Sequence, residues 1–237
     1  MKYIIHKAEN RGHANHGWLD AYHSFSFANY YDPDKVQFGA LRVLNDDTIL
    51  GGQGFGMHPH DNMEIITIPL SGALEHKDSM NYEGIIQRGE IQVMSAGTGI
   101  YHSEFNHNKD KEVKLLQIWV IPKIRDVEPR YQQFHIDDVS SQNEFYLIVS
   151  PDPHNRGAWI HQDAWFSLCD LDKDSLVNYK LYNKKSGLYI FIIEGSVNID
   201  EKVLNKRDGF GIWQTNGIRV SANENSRVLL MELPMEY

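Results

Sequence analysis

Two short pairs of side chains that can ligate a metal stand out in the sequence, His58 with His60 and His102 with Glu104. The members of each pair are two residues apart. In an extended strand that spacing places both side chains on one face, whereas residues that meet on a helix are three or four apart. If adjacent strands bring the pairs together, three imidazoles and one carboxylate converge on one ion. Such ligands suit a divalent transition metal, and Zn, Fe, Ni, Cu and Mn are all compatible with them.

The alternative is that these pairs are ordinary polar surface, because the chain has 12 histidines. Gly97 and Gly99 favour the metal site, since a tight turn before a ligand-bearing strand needs such residues. Three further histidines lack the spacing of the pairs, and we predict that they form hydrogen bonds in loops: His13, His16 and His23.

Strands must position the two pairs, and the flanking sequence predicts them from β-branched and apolar runs. Before residue 122 the predicted strands cover residues 3–7, 39–44, 64–72, 84–94 and 115–121. Predicted turns cover residues 45–47 and 78–81. Five apolar residues are candidates either for a wall around the metal or for plain barrel core: Phe55, Met57, Met94, Ile118 and Trp119.

The segments around the two pairs resemble the two motifs of the cupin family. The residues that carry the likeness are Gly52, His58, His60, Glu64 and Gly72 for the first motif, and Gly89, Gly97, His102 and Asn106 for the second. The sequence departs from the usual motifs in three ways: Ser95 replaces a proline, four residues separate Gly97 from His102, and Gly72 comes one residue later than usual. These departures, together with residues 11–18 and 23–30, resemble the pirin family. The likeness extends over nearly the whole chain.

The resemblance implies a ligand set and an activity. It is closest to bacterial pirin-like proteins described as quercetin 2,3-dioxygenases. In that family the ligands are the residues that here are His58, His60, His102 and Glu104. Glu64, the glutamate of the first motif, is a ligand in many cupins but not in pirins, so a structural or supporting role is expected for it. His107 is a second candidate for orienting the imidazoles.

Composition limits the classes of partner. The 237 residues carry a net charge of −9 and no long basic run, which disfavours direct nucleic-acid binding. A single cysteine, Cys169, excludes an internal disulfide and fits a reducing compartment. The N-terminus turns polar too early for a secretory signal, and no apolar run is long enough to span a membrane. We therefore expect a cytoplasmic protein without membrane contact, and a monomer.

The second half of the chain predicts a repeat of the first. Residues 123–145 read as a connection, which places the boundary between domains 1–137 and 138–237. Residues 66–74 resemble 190–197, and residues 88–93 resemble 207–212. The fold expected is all-β, with two tandem cupin barrels of the jelly-roll type, a bicupin. The second copy has no ligand pair at residues 181–183 or 216–223, and we assign no ligand role to His154 or His161.

Open coordination positions point to oxygen chemistry. Four protein ligands leave one or two positions on an octahedral ion, and non-haem Fe(II) suits such a site, so iron is the first choice. The resemblance implies that a flavonol such as quercetin binds through its 3-hydroxyl, loses a proton to a carboxylate and reacts with O2, with ring opening and release of carbon monoxide. Glu104 is either that base or a ligand with no proton role.

Two other functions fit the same residues. Eukaryotic pirins are described as iron-responsive cofactors of transcription factors. The resemblance therefore also allows a non-catalytic, iron-dependent regulatory protein that senses redox state and binds a protein partner. A metal-dependent isomerase or another small-molecule cupin enzyme is the third reading, because one fold serves many chemistries.

Overall fold

The computed structural model describes residues 1–236, and within that range the chain is built from strands and two short 3-10 helices, Ala8–Asn10 and Ile136–Asp138. The strands up to the second helix are β1 (Lys2–His6), β2 (Gly12–Asn15), β3 (Leu19–His23), β4 (Leu41–Ile49), β5 (Gly54–His60), β6 (Glu64–Ser71), β7 (Ala73–Asp78), β8 (Glu83–Gln87), β9 (Glu90–Ser95), β10 (Ile100–Asn106), β11 (Val113–Val120) and β12 (Arg130–His135). No helix among these 236 residues is long and apolar enough to cross a bilayer.

The remaining strands form the second half of the molecule. They are β13 (Tyr146–Ser150), β14 (Ala158–Trp159), β15 (Trp165–Leu171), β16 (Leu176–Lys180), β17 (Ser186–Glu194), β18 (Ser196–Ile199), β19 (Lys202–Asn205), β20 (Gly209–Trp213), β21 (Gly217–Ala222) and β22 (Ser226–Pro234). The prediction of an all-β protein with two tandem barrels is confirmed.

The two barrels have matching sheets. The first contains a seven-stranded sheet in the order β12-β9-β6-β11-β4-β3-β2 and a four-stranded sheet in the order β5-β10-β7-β8. The second contains a seven-stranded sheet in the order β1-β20-β17-β22-β15-β13-β14 and a four-stranded sheet in the order β16-β21-β18-β19. Position by position the strands correspond, except that β14 runs parallel to β13 whereas β2 runs antiparallel to β3. The internal repeat read from the sequence is therefore present in the topology.

Matching glycines turn the chain at the same place in each barrel. Gly72 joins β6 to β7 with φ +76°, and Gly195 joins β17 to β18 with φ +83°. A residue with a Cβ rarely adopts this backbone conformation, so glycine is required at both turns. These are the two glycines that aligned the halves in the sequence.

The first strand lies in the second barrel. β1 pairs antiparallel with β20, in the position that β12 takes beside β9 in the first barrel. The N-terminal segment therefore crosses from one half to the other. The division into domains 1–137 and 138–237 stays a prediction.

Two local predictions were wrong. Residues 45–47 do not form a turn, because β4 runs through them and pairs with both β3 and β11. Residues 123–145 are not wholly a connection, because β12 pairs with β9 along its length. β12 is half-buried at the edge of its sheet. Its polar side chains therefore gave no apolar signal in the sequence.

The cores of the two barrels differ. The largest apolar cluster contains buried residues from both seven-stranded sheets, including Leu41 and Ile66 from the first barrel and Phe166 and Tyr189 from the second. A second large cluster belongs to the second barrel. The interior of the first barrel has two smaller apolar clusters, which leaves room inside the barrel for polar side chains from β5 and β10.

Candidate metal centre

Antiparallel pairing of β5 with β10 brings the three histidines of the two sequence pairs together. His58 lies opposite His102, and His60 lies opposite Ile100. The ring centroids are 4.9 Å apart for His58 and His60, 4.4 Å for His58 and His102, and 4.8 Å for His60 and His102. One ring nitrogen from each lies within 4.8 Å of the others, so the trio could hold a metal ion.

Glu104 lies on the same face of β10 as His102, because the two residues are two apart in a strand that pairs with β7 without a register shift. The pairing of β10 with β5 shifts between His102 and Glu104, which marks a bulge. Glu104 is 3% exposed, and its Oε2 accepts a hydrogen bond of 3.0 Å from Gln117 Nε2. Its ligand atom lies within 4.8 Å of those of His76 and His102.

Two buried ligand atoms are left free in this region. Glu104 Oε1 and His102 Nε2 find no hydrogen-bond partner among residues 1–236. A buried polar atom without a partner costs free energy, so such atoms call for an explanation such as a bound ion. His58 fits the same reading, because its Nδ1 is 2.7 Å from the Gly56 carbonyl oxygen and the other ring nitrogen is left for a ligand role.

The electrostatics keep two of the imidazoles in the form that binds metals. Burial lowers the pKa of His60 to about 4, and burial together with the neighbouring histidines lowers the pKa of His102 to about 2. Both rings are therefore neutral at pH 7. Burial raises the pKa of the Glu104 carboxyl to about 7, against an ordinary value of 4.5. A cation nearby would favour its ionised form.

A cavity of about 170 Å³ opens beside these residues. Its apolar walls are Phe27, Phe55 and Trp119, and the ring of Trp119 stands edge-on to His60 at 4.9 Å. Of the five apolar candidates, only Phe55 and Trp119 line it. Met94 and Ile118 are fully buried in apolar clusters, and Met57 is 59% exposed. Phe27 lies outside the named strands, and no spacing or periodicity in the sequence marks it as a wall residue.

Asn45 and Asp47 form a polar part of the cavity wall that the sequence analysis missed. Both were assigned to a turn, but β4 carries them inward. Asp47 is 5% exposed, and its Oδ1 has no hydrogen-bond partner within the described residues. Burial, with Asp46 and Glu104 nearby, raises the pKa of its carboxyl well above the ordinary range.

His76 is the other residue that the sequence analysis missed. It lies on β7, beside β10, and is fully buried. Its Nδ1 is 3.4 Å from Nδ1 of His102, and its Nε2 is 3.1 Å from Oδ2 of Asp78. A signal was present, since His76 and Asp78 have the same two-residue spacing as the metal-ligating pairs.

The remaining candidates lie outside the cavity. Glu64 is buried and contacts Ser95 Oγ at 2.7 Å and His161 Nδ1 at 3.2 Å, which links the two barrels. His13 contacts Asp20 and His23 contacts Asn45, so both form hydrogen bonds, but from β2 and β3 and not from loops. The exposed His107 contacts Glu75 at 3.4 Å. Elsewhere the backbone N–H groups of His16 and His154 donate to Leu19 O and Asp152 Oδ1.

Comparison with known proteins gives matches over both barrels. Residues 5–120 match the family model described as Pirin, and residues 147–233 match the one described as Quercetinase C-terminal cupin domain. A protein of Escherichia coli (strain K12) named quercetin 2,3-dioxygenase is 44% identical over 230 residues, which cover 97% of this chain and 98% of that protein. A pirin-like protein of Caulobacter vibrioides is 37% identical over 93% of this chain and 95% of its own.

Solved structures are similar over the full length. The crystal structure of YhhW from Escherichia coli superposes with a TM-score of 0.94 at 42% identity and covers 100% of both chains. The structure described as bacterial pirin YhhW in complex with nickel(II) gives a TM-score of 0.93 at 42% identity, covering 98% of this chain and 99% of that one.

Proposed function

The chain belongs to the pirin family, and we propose that it is a metal-dependent dioxygenase that opens the ring of a flavonol such as quercetin and releases carbon monoxide. The observation that carries the proposal is the convergence of the imidazoles of His58, His60 and His102 beside a cavity with aromatic walls that Glu104 also lines. The name of the Escherichia coli relative supports the choice of substrate.

The metal in this proposal is one divalent transition ion, held by His58, His60, His102 and Glu104. The free Nε2 of His102 and the free Oε1 of Glu104 support these ligands. The nickel(II) complex of the similar Escherichia coli protein supports a divalent ion. Fe(II) remains our first choice because open sites of histidine and carboxylate suit it, and Ni, Cu, Mn and Zn are the other candidates.

The cavity would hold one hydroxylated ring of the substrate. Its volume of about 170 Å³ is below the roughly 300–1,000 Å³ of pockets that enclose a whole ligand, so the rest of a flavonol would extend beyond the mouth. Phe27, Phe55 and Trp119 would pack against the ring. Asn45 and Asp47 offer hydrogen-bonding groups for its hydroxyls, which an apolar wall could not satisfy.

Proton transfer is assigned to Glu104. A bound divalent ion supplies Lewis acidity that lowers the pKa of a coordinated hydroxyl. Burial raises the pKa of the Glu104 carboxyl to about 7 in the metal-free protein, and a bound cation would lower that pKa, so the carboxyl would be ionised and able to accept the proton at neutral pH. Gln117 holds Oε2 through its 3.0 Å hydrogen bond, so Oε1 is the atom that would bind the ion, and Oε1 would take the proton only by loosening from it. In the overall reaction both atoms of O2 enter the opened product, and one ring carbon leaves as carbon monoxide.

Anaerobic reconstitution tests the proposal. Metal-free protein is loaded with Fe(II), Ni, Cu or Mn and then given quercetin and O2, while substrate loss, oxygen uptake and carbon monoxide are recorded. Wild type runs beside His60→Ala, Glu104→Gln and the control His107→Ala, whose imidazole is exposed and contacts Glu75. We expect one carbon monoxide per quercetin from wild type and the control, and none from His60→Ala. Tight metal binding without turnover under every ion would contradict the dioxygenase and favour the regulatory alternative.

A further inference from the structure

A buried row of three side chains runs behind the candidate metal centre, from Asp78 through His76 to His102. The side chains of His76 and Asp78 are 0% exposed, and His102 is 1% exposed. Asp78 Oδ2 is 3.1 Å from His76 Nε2, and His76 Nδ1 is 3.4 Å from His102 Nδ1. β7 and β10 are paired neighbours, which fixes the row within one sheet.

Asp78 sets the direction of the hydrogen bonds. Its Oδ1 accepts from the backbone N–H groups of Met80 and Tyr82 at 2.9 Å and 3.1 Å, so the carboxylate is anchored in the turn after β7. An ionised carboxylate can only accept. Nε2 of His76 must therefore carry the hydrogen in that contact.

The tautomer of His76 then dictates that of His102. A neutral imidazole carries one N–H, so with hydrogen on Nε2 the Nδ1 of His76 is an acceptor. Gln92 Nε2, a donor, lies 3.5 Å from that same Nδ1, so it shares the single lone pair of Nδ1 with the His102 contact and also requires an acceptor there. If Nδ1 of His102 also lacked a hydrogen, its lone pair would face the lone pair of His76 Nδ1, and the two would repel each other. Nδ1 of His102 therefore carries the hydrogen between the rings. Nε2 of His102, the atom without a partner in the described chain, keeps its lone pair.

We propose that Asp78 and His76 are positioning residues that fix His102 in its Nδ1–H tautomer and thereby present the Nε2 lone pair to the metal. The proposal rests on the metal site of the proposed function. It does not depend on which substrate is turned over. A second imidazole placed between the carboxylate and the ligand lengthens the usual arrangement, in which the ligand contacts the carboxylate directly.

Three variants separate this role from simple packing. His76→Leu removes the acceptor for His102 Nδ1–H, and we expect Ni(II) affinity to fall about 10–100-fold. His76→Gln keeps an amide oxygen that can accept that hydrogen, so its Ni(II) affinity should be close to that of wild type. Asp78→Asn presents an N–H to His76 Nε2, which moves the hydrogen of each ring to the wrong nitrogen. We expect Asp78→Asn to bind Ni(II) as weakly as His76→Leu. Lys77→Ala, from the half-exposed side chain between them, is the control and binds like wild type.

Two readouts keep the test independent of activity. Calorimetric titration with Ni(II) gives the affinities, and ring ¹⁵N shifts of His102 in metal-free wild type give its tautomer even if a variant fails to fold. Hydrogen on Nε2 in wild type would overturn the proposal, as would equal affinities in all variants. X-ray absorption showing one imidazole fewer around Ni(II) in His76→Leu would also overturn it, because His76 would then be a ligand. If wild type binds no Ni(II), the proposed metal site is wrong, but the ¹⁵N shifts still show whether Asp78 and His76 set the tautomer of His102. If it binds Ni(II) without turnover, only the dioxygenase fails.

Discussion

The two barrels share a strand order, yet their interiors differ at the paired strands that carry the candidate site. In the first barrel β10 pairs with β5, and His102 faces His58. In the second barrel β21 pairs with β16 at the matching place, and Ile218 faces Tyr179. Both residues of the second pair are buried.

The strands on the other side, β7 beside β10 and β18 beside β21, show the same difference. Four residues after the turn glycine, His76 pairs with Glu104 in the first barrel, and Ile199 pairs with Val220 in the second. By the same register Leu181 takes the place of His60. Apolar side chains and one tyrosine therefore occupy the positions of the polar cluster, and they belong to a single buried apolar cluster. The second barrel folds without polar residues at these positions, so a role in binding best explains their presence in the first barrel.

A buried carboxyl in each barrel shows the same contrast. Glu232 in the second barrel accepts hydrogen bonds on both oxygens, from Tyr179 Oη and the backbone N–H of Tyr182 on Oε2 and from the backbone N–H of Asn183 on Oε1. Glu104 in the first barrel leaves Oε1 without a partner within residues 1–236. The satisfied carboxyl stabilises its surroundings, whereas the unsatisfied one fits the ligand role proposed for it.

Giving the first barrel the residues of the second is expected to have the largest effect. The double variant His102→Ile with Glu104→Val removes two of the four proposed ligands, and Ni(II) affinity should fall about a thousandfold or more. The fold should persist because the matching pair Ile218 and Val220 fits the same strand. Calorimetric titration and circular dichroism check both parts. Retained binding would show that the ion is held elsewhere.

The reverse change tests whether the second barrel tolerates a buried carboxylate. Val220→Glu places a charge at the position matching Glu104 but among apolar neighbours, and we expect a loss of about 3–5 kcal/mol in the free energy of unfolding. Val203→Glu on β19, where the native side chain is 55% exposed, is the control and should change stability by less than about 0.5 kcal/mol. Urea unfolding measures both. A small loss for Val220→Glu would mean that the two interiors are equally polar.

Glu104→Gln should stabilise the metal-free protein at alkaline pH. A carboxyl whose pKa is raised on folding contributes stability below its unfolded pKa and loses that contribution as the pH rises through the folded pKa, here about 7. At pH 8 wild type has lost it, so the variant should be more stable by about 2–3 kcal/mol, and the difference should shrink toward pH 4. Urea unfolding of metal-free protein across this range is the measurement. Parallel pH profiles would contradict the raised pKa.

Substitutions at the two turn glycines, Gly72 and Gly195, are expected to have the smallest effect. Gly72→Ala and Gly195→Ala each force alanine into a positive φ, which should cost about 1 kcal/mol or more. The added Cβ would lie 2.9 Å from Glu112 O at Gly72, and closer still to the Ser226 side chain at Gly195. Thermal unfolding should therefore show the larger loss for Gly195→Ala. Equal losses would mean that only the backbone conformation matters.

Sequence reasoning predicted the features that depend on local spacing. Pairs of ligands two residues apart lie on one face of a strand, and the same strand geometry brought His58, His60 and His102 together. Repeated glycines and apolar runs gave the two barrels, because similar turns and strands recur at matching intervals.

The errors fall where long-range contacts override local signals. Asn45 and Asp47 have the composition of a turn, yet pairing with β3 and β11 extends β4 through them and delivers both side chains to the cavity. His76 was missed because its partner Asp78 also begins a turn, which explained that residue without any buried role. Nor could local patterning place β1 in the second barrel, since its pairing spans nearly the whole chain.

We propose that the first barrel alone holds one metal ion. Crystallographic anomalous scattering from protein loaded with Ni(II) tests it most directly. We expect one strong site per chain, with nitrogen atoms of His58, His60 and His102 and a carboxylate oxygen of Glu104 about 2 Å from the ion, and no site between β16 and β21. An ion bound elsewhere, or held by His76 in place of His58 and His60, would contradict the account.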